Sequence, residues 1–202
     1  MNKKNFVLLI ICFFFFSLIT SAFGMENTLK NAKVGDYVKI GCYPQSIDGT
    51  VQPIEWQVLS IEEKKILVIS KYGLASMDFD LSSNDWKNSA IRHWLNNGFY
   101  NKVFTEQEKK YINSFNGDNV FLLSKEEAEK YFANNDARKC KVTYFAKANG
   151  AYVADSGNSP WWLRSPYGNN CVCRVLDDCD IGFFYIHNNQ YVVRPALWIN
   201  LY

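Results

Sequence analysis

Two groups of residues near the C-terminal end of this chain could do chemistry. Cys171 and Cys173 form a Cys-x-Cys pair, which can bind a soft metal ion or form a strained disulfide. Residues 177–180, Asp-Asp-Cys-Asp, could offer carboxylate oxygen atoms to calcium. The cysteine pair has no convincing further ligand nearby, and the acidic turn has neither the spacing nor the glutamate of a calcium loop. We therefore predict no metal, no cofactor and a solvated acidic turn.

Catalytic side chains are equally sparse. The sequence has two histidines, His93 and His187, and His93 lies in a predicted helix beside Trp94, where a structural role fits best. No serine carries the glycine elbow of a hydrolase, and no HExxH or paired metal-ligand spacing is present. A pair of carboxylates for sugar hydrolysis could be chosen from many acids, so that alternative stays open. The sequence favours a protein that is not an enzyme.

The N-terminal residues predict export. Residues 2–4 are a short basic start, residues 6–20 are apolar, and residues 22–24 form a small-x-small cleavage site. An apolar run of about fifteen residues is too short to span a bilayer comfortably. We predict a signal peptide over 1–24, with a retained membrane anchor as the alternative. One domain over 25–202 would then be secreted, periplasmic or attached to the cell surface.

The net charge limits the classes of partner that this protein could bind, and the cysteine count limits its possible disulfides. The formal net charge is +2, which gives no electrostatic support for binding nucleic acid or an anionic membrane. A membrane partner would require that the N-terminal segment is retained. Export permits disulfides, but five cysteines remain after residue 24, so at least one is free, intermolecular or ligand-bound. Two alternatives stay open: a disulfide between Cys179 and either Cys171 or Cys173, or cysteines that remain as inert buried thiols.

The periodicity of the sequence up to residue 150 predicts strands followed by helices. Residues 36–40 alternate, and residues 53–61 and 65–70 form a predicted hairpin. Helical stripes and capping boxes predict short helices after these strands. The predicted helices are residues 86–95, with a stop at Gly98, and two short helices that begin after Thr105 and after Ser124. One buried strand, residues 120–123, is predicted before the last of them.

After Gly150 no helical period appears, and short apolar runs predict a C-terminal antiparallel β-meander. Turns at 177–178 and 188–190 separate its last strands. The chain as a whole predicts an α+β fold with N-terminal strands, two to four short helices and a terminal meander. The predicted strands of the meander are residues 161–164, 172–176, 181–186 and 191–199.

The terminal meander differs in composition from the rest of the chain. No lysine follows Lys147 and no glutamate follows Glu129. Two near-apolar segments bound it, 161–166 (WWLRSP) and 193–199 (VRPALWI), which we call the clamps. We predict that their aromatic rings lie in the core and that their guanidinium groups donate to backbone carbonyls or a buried carboxylate. The clamp residues with these structural roles are Trp161, Trp162, Arg164, Arg194 and Trp198.

Between the clamps the side chains are typical of recognition surfaces. Tyrosine gives broad contact area at low entropic cost, and Asn and Asp give adaptable hydrogen bonds. Strand alternation predicts that Phe184 and Ile186 are buried and that Phe183, Tyr185 and His187 are exposed. The candidate ligand-contact residues are Arg174, Asp177, Asp178, Asp180, Tyr185, His187, Asn188, Asn189 and Tyr191.

Five segments carry a family resemblance: 41–45 (GCYPQ), 53–59 (PIEWQVL), 89–96 (SAIRHWLN), 161–166 and 193–199. Together they resemble a bacterial family of exported domains of unknown function, over nearly all of residues 25–202. The resemblance implies a C-type-lectin-like fold, in the branch that includes formylglycine-generating enzymes. Those enzymes use cysteine chemistry with a metal. No motif of theirs matches around Cys171 and Cys173, so their activity is not carried over.

Some relatives with the same clamps are targets of diversity-generating retroelements, which rewrite adenines in the 3′ end of a gene. Rewriting of AAC or AAT codons never yields Lys, Glu, Gln, Met or Trp. From Asn169 to Val192, Gln190 alone falls outside the permitted set. A buried meander that naturally lacks Lys and Glu is the alternative. Where relatives tend to have small residues or turn glycines, this chain has Val172, Cys173, Cys179 and Val192.

These observations predict an exported, non-catalytic protein that uses residues 169–192 to bind an extracellular or envelope protein or a glycan. Two alternatives remain. One is an exported enzyme with an unrecognised site, and the other is a structural envelope protein that self-associates through its terminal meander.

Overall fold

The computed structural model describes residues 29–201, which form a mostly β protein with a few short helices. The predicted α+β class is confirmed only in this coarser form. The predicted signal peptide at 1–24 lies outside the described residues. Within residues 29–201, no helix combines the length and the apolar character that crossing a membrane requires.

Ten strands within the described residues form two five-stranded sheets. In chain order they are β1 (Tyr37–Pro44), β2 (Val51–Glu62), β3 (Lys65–Ser70), β4 (Ala75–Ser76), β5 (Ile112–Asn113), β6 (Trp161–Tyr167), β7 (Cys171–Val175), β8 (Ile181–Tyr185), β9 (Val192–Val193) and β10 (Ala196–Asn200). The first sheet has the order β1-β2-β3-β10-β5, and the second has the order β4-β9-β6-β7-β8. The predicted hairpin of β2 and β3 is confirmed.

β3 lies in the middle of the first sheet, and its side chains alternate between two apolar clusters. Ile66 and Val68 belong to one cluster, whereas Leu67 and Ile69 belong to the other. Because successive residues of a strand point to opposite faces, both faces of this sheet are covered.

The helices of residues 29–201 are short, and two of them begin at the predicted capping boxes. At Thr105 and at Ser124 the hydroxyl accepts from the N3 amide while the N3 glutamate accepts from the N-cap amide. The helices are α1, a continuous run of Ala90–His93, the π-helical Trp94–Phe99 and Tyr100–Val103, then α2 (Glu106–Lys109), α3 (Lys125–Tyr131) and α4 (Tyr144–Ala148), with 3₁₀ turns at Trp86–Asn88 and Asp136–Arg138.

The predicted helix stop at Gly98 is wrong, because Gly98 lies inside the π-helical turn of α1. The helix also begins later than predicted, at Ala90, where Ser89 caps it. A Cβ atom on residue 98 would lie 3.3 Å from Cδ1 of Trp94. Glycine therefore leaves room for the Trp94 ring while the helix continues. The buried stripe of α1 is Ile91, Leu95, Phe99 and Val103.

The C-terminal part confirms three predicted strands and corrects the fourth. β6, β7 and β8 form the predicted antiparallel meander. The predicted strand 191–199 is interrupted at Pro195, which has no N–H to donate to a ladder. Its first part, β9, pairs in parallel with β6, whereas β10 leaves the meander and pairs with β3 and β5. Residues 120–123 are buried but make one isolated bridge, Phe121 with Ala196, rather than the predicted strand.

Arg194, at this interruption, is a buried cation that ties the two sheets together. Its side chain is 2% exposed, and burial lowers the pKa of its guanidinium below the ordinary value. Nε donates to the Ser70 carbonyl at 2.9 Å and Nη1 to the Arg138 carbonyl at 3.3 Å. The rings of Phe132 and Trp161 lie 5.5 and 5.1 Å from the guanidinium carbon. Within residues 29–201, no carboxylate lies at ion-pair distance from it.

Arg194→Lys should lower the free energy of unfolding by about 2–3 kcal/mol, because a lysine ammonium is more strongly hydrated and lacks the two spaced nitrogen donors that bond the Ser70 and Arg138 carbonyls. Arg174→Lys is the matched control, since Arg174 is half-buried and carries no hydrogen bond to a carbonyl; there we expect a loss below about 1 kcal/mol. Urea denaturation of both variants makes the comparison, and equal losses at the two positions would show that Arg194 does not join the sheets.

Candidate functional site

The nine candidate contact residues do not form one cluster. The acids at 177–180 lie in the turn between β7 and β8, and residues 185–189 lie at the far end of β8. Arg174 and Tyr191 lie on the face of the hairpin that packs on the core. A five-residue strand spans roughly 16 Å, so a small ligand cannot contact both ends of the hairpin.

One outer surface of the meander carries three exposed aromatic side chains, Tyr167, Phe183 and Tyr185, which we call the aromatic face. They are 48%, 50% and 64% exposed, respectively. The rings of Tyr167 and Phe183 stack across β7, with centroids 3.8 Å apart and planes at 14°. Phe183 is the one phenylalanine of residues 29–201 that is exposed. Such a cluster exceeds what the fold alone requires.

Strand alternation predicted this surface correctly in part. Phe183, Tyr185 and His187 are exposed and Ile186 is buried, as predicted, while Phe184 is half-buried on the inward side. Sequence reasoning missed Tyr167, because it lies before the segment 169–192. The register supplies the missing link: Tyr167 pairs with Cys171, which pairs with Tyr185 on the next strand.

The turn that carries Tyr167 into β7 is held by side-chain and backbone contacts. Gly168 and Asn170 adopt φ angles of 51° and 56°, the left-handed region that glycine and asparagine tolerate best. The Asn84 side-chain amide donates to the carbonyls of Gly168 at 2.8 Å and Cys171 at 2.9 Å. The Ile186 amide donates to the Asn170 carbonyl. The aromatic face therefore stands on a braced turn.

Tyr191 and Arg174 are placed differently from the surface role expected of them. Tyr191 is 8% exposed and its ring packs 5.0 Å from that of Trp162. Burial raises the pKa of its hydroxyl, and the nearby charge of Arg174 partly opposes that effect. The Arg174 guanidinium lies 4.7 Å from the Phe184 ring and 4.3 Å from the Tyr191 ring. Both side chains thus support the hairpin from its inner side.

The acidic turn at 177–180 makes hydrogen bonds within the protein and does not form a metal-binding arrangement. Arg138 Nε donates to the Cys179 carbonyl at 2.9 Å, and Asn135 donates to the Asp180 carboxylate at 2.6 Å. Asp178 accepts from the Asp180 amide. Across residues 29–201, no group of three His, Cys, Asp or Glu side chains is arranged to hold a metal ion.

Within residues 29–201, the cysteine and histidine side chains form no disulfide and no cluster that could hold a metal ion. Five cysteines of residues 29–201 carry free thiols, and burial raises the pKa of four of them. These thiols stay protonated near neutral pH and are weak nucleophiles. His93 is exposed on α1 and contacts the side chain of Asn97. The four thiols with raised pKa values are those of Cys42, Cys140, Cys173 and Cys179.

The clamps make structural contacts. Trp161 Nε1 donates to the Arg138 carbonyl at 3.1 Å, and Trp162 Nε1 donates to the Met77 carbonyl at 2.9 Å. Arg164 donates through both terminal nitrogen atoms to the Glu127 carboxylate of α3, the bidentate geometry that guanidinium favours. Trp198 is 4% exposed, with the Lys65 ammonium 4.3 Å from its ring centroid. These residues position the meander and do not line the aromatic face.

Fold and site together define a small, mostly β domain that presents aromatic side chains on a clamped hairpin. Residues 63–201 match a family described as Domain of unknown function (DUF6273), and the chain belongs to that family. This confirms the predicted membership of a domain-of-unknown-function family. The match begins in the turn between β2 and β3, so β1 and β2 precede it. No curated protein and no solved structure matches the chain.

Cys179 gives a testable contrast, because it is fully buried and has a φ of +78°. At this position glycine should give a more stable protein than alanine by about 1 kcal/mol, since a Cβ atom strains the left-handed conformation. At Cys173, in extended strand β7, alanine should be the better residue by about 0.5–1 kcal/mol. Thermal unfolding of the four variants tests this reversal, and the same order at both positions would contradict it.

Proposed function

We propose that this chain is an exported, C-type-lectin-like binding protein that contacts a protein or a glycan through its aromatic face and the adjoining residues 187–189. The observation that carries the proposal is the cluster of three exposed rings on one sheet surface. Exposed aromatic clusters mark interaction sites more often than they serve the fold. Export and the lectin-like fold rest on the N-terminal pattern and the sequence motifs.

The chemistry of this surface suits a ligand with a flat apolar side and polar edges. Tyr167 and Phe183 stack on each other and each leaves about half of its surface exposed, and Tyr185 adds a ring that ends in a hydroxyl. His187 and Asn189 are exposed beside them and supply donors and acceptors. A sugar ring and an extended peptide segment both have this character. The acids at 177–180 lie too far away to share a small ligand and are left out of the proposed surface.

The triple change Tyr167→Ser, Phe183→Ser and Tyr185→Ser should weaken ligand binding by more than about tenfold, because aromatic anchors dominate interface energies. The matched control is Tyr37→Ser with Tyr152→Ser, which removes two comparably exposed rings elsewhere. Binding is measured on a glycan array and against isolated envelope proteins, with sedimentation of each variant.

Three results would overturn the proposal. If the triple variant binds as the unmodified protein does, the aromatic face is not the contact surface. If only self-association is lost, the structural envelope alternative is correct. Turnover of an arrayed glycan would support the enzyme alternative.

We further propose that the C-terminal segment is diversified by adenine rewriting. The burial of individual side chains limits the positions at which we expect it. Val172 and Val192 are fully buried, and a Cβ atom on Gly73 would lie 1.9 Å from Cγ1 of Val192. These two valines therefore fit a packed core, which counts against undirected rewriting at their codons. Cys179 differs, since its positive φ favours glycine. Rewriting, where it occurs, is expected at exposed positions and at Cys179.

Deep sequencing of the 3′ end of the gene in a cultured population tests this part. We expect substitutions confined to adenines at Cys179 and at the exposed positions of 169–192, with the codons of Val172, Val175, Ile186 and Val192 unchanged because those side chains are fully buried or nearly so. Codons 34–160 are the internal control. An equal substitution rate in the two regions would remove the retroelement argument and leave a binding surface of fixed sequence.

A further inference from the structure

A concave site lies away from the aromatic face, between the β1–β2 turn and α4. It is an open depression with a volume of about 590 Å³, which is within the range of small-molecule sites. Tyr72, after β3, and residues 153 and 157 complete its wall. We call it the hairpin cavity, and its polar and aromatic lining includes Gln45, Gln52, Tyr72, Lys141, Tyr144 and Lys147.

Hydrogen bonds fix the two sides of the hairpin cavity before any ligand binds. The Gln45 side-chain amide donates to the carbonyls of Gln52 at 3.2 Å and Pro53 at 2.8 Å. The Phe145 amide, in the first turn of α4, donates to the Gln45 carbonyl at 3.0 Å. Gln52 Nε2 donates to Ser46 Oγ at 2.9 Å. Because both glutamine NH₂ groups bond within the hairpin, their amide oxygens remain to accept hydrogen bonds from ligand hydroxyl groups.

The two charged side chains that line the cavity are both lysines. Lys141 and Lys147 both line the cavity, and none of the lining residues is an aspartate or glutamate. Within the described part of the chain, neither lysine forms an ion pair. A concave surface with two unpaired ammonium groups concentrates positive potential and attracts an anionic group.

Aromatic rings complete the set of groups. Tyr144 is 76% exposed and lines the cavity, so its ring lies at the mouth, where a sugar face can stack on it. Tyr72 contributes a second ring to the lining. An aromatic ring gives apolar contact and a hydroxyl at low entropic cost. Stacking rings, free acceptors and unpaired ammonium groups together match a ligand with hydroxyl groups and a negative charge.

From this combination we propose that the hairpin cavity binds an acidic saccharide, with its carboxylate or phosphate on Lys141 and Lys147 and its ring against Tyr144. The site is separate from the aromatic face and does not depend on the function proposed for it. A uronic acid and a phosphorylated sugar share this recognition chemistry, and the choice between them is made by experiment.

Isothermal titration calorimetry at low salt tests the proposal with four probes: digalacturonate, glucose 6-phosphate, neutral maltose and inorganic phosphate. We expect one of the two acidic sugars to bind at least about tenfold more tightly than maltose and than phosphate alone, with affinity falling as salt is added. The acidic sugar that binds more tightly identifies the charged group. Failure of both acidic sugars to bind would overturn the proposal, as would equal affinity for maltose or for phosphate alone.

Variants separate this site from its surroundings. Lys141→Met with Lys147→Met should weaken binding of the acidic sugar about tenfold or more, whereas Lys64→Met with Lys102→Met, at two exposed lysines outside the cavity, should leave it unchanged. Tyr144→Ala should weaken the sugar and leave inorganic phosphate unaffected. The triple aromatic-face variant should bind the acidic sugar normally, so the two proposals fail independently. Equal losses in the two lysine pairs would assign the effect to net charge and overturn the site.

Discussion

The buried charge of Arg194 is the constraint on which the rest of the architecture depends. A guanidinium group in the interior needs acceptors on several sides, and here they come from the Ser70 and Arg138 carbonyls, with Trp161 and Phe132 packed against its faces. The Arg138 carbonyl also accepts from Trp161 Nε1. One side chain thereby fixes the end of β3, the 3₁₀ turn Asp136–Arg138 and β6 relative to one another. These contacts set how the second sheet packs against the first.

Along the C-terminal segment, the side chains that pack in the core differ from those that are exposed to a ligand. The inward side of the meander, with Trp162, Ile186 and Tyr191, belongs to the core, while the outward side is free at Tyr167, Phe183 and Tyr185. Cys173 and Val175 point to the same side as these rings but are buried in the second apolar cluster, so only the exposed outward side chains can differ without disturbing the packing.

Local signals predicted much of the structure, and long-range pairing accounts for most of the remainder. The capping boxes at Thr105 and Ser124, the hairpin of β2 and β3 and the exposed positions of β8 follow from spacing alone. The pairing of β10 with strands of the first sheet could not be predicted in this way. Alternation shows that a strand has a buried face, but it does not show which neighbour covers that face. Gly98 does not end α1, because a π-helical turn tolerates a glycine of the kind that usually ends helices. Tyr167 and the hairpin cavity emerged only when register and packing brought distant segments together.

The position of β10 has a consequence for how the chain assembles. It lies between β3 and β5, at the interior of a sheet whose other strands were synthesised long before it. Until residues 196–200 arrive, β3 has an unpaired edge with an apolar surface, the kind of edge that recruits other chains. An interior position of the first sheet is thus filled by the last of its strands to be synthesised. Closure of the first sheet depends on contacts of high sequence separation, which makes folding slow for a domain of this size.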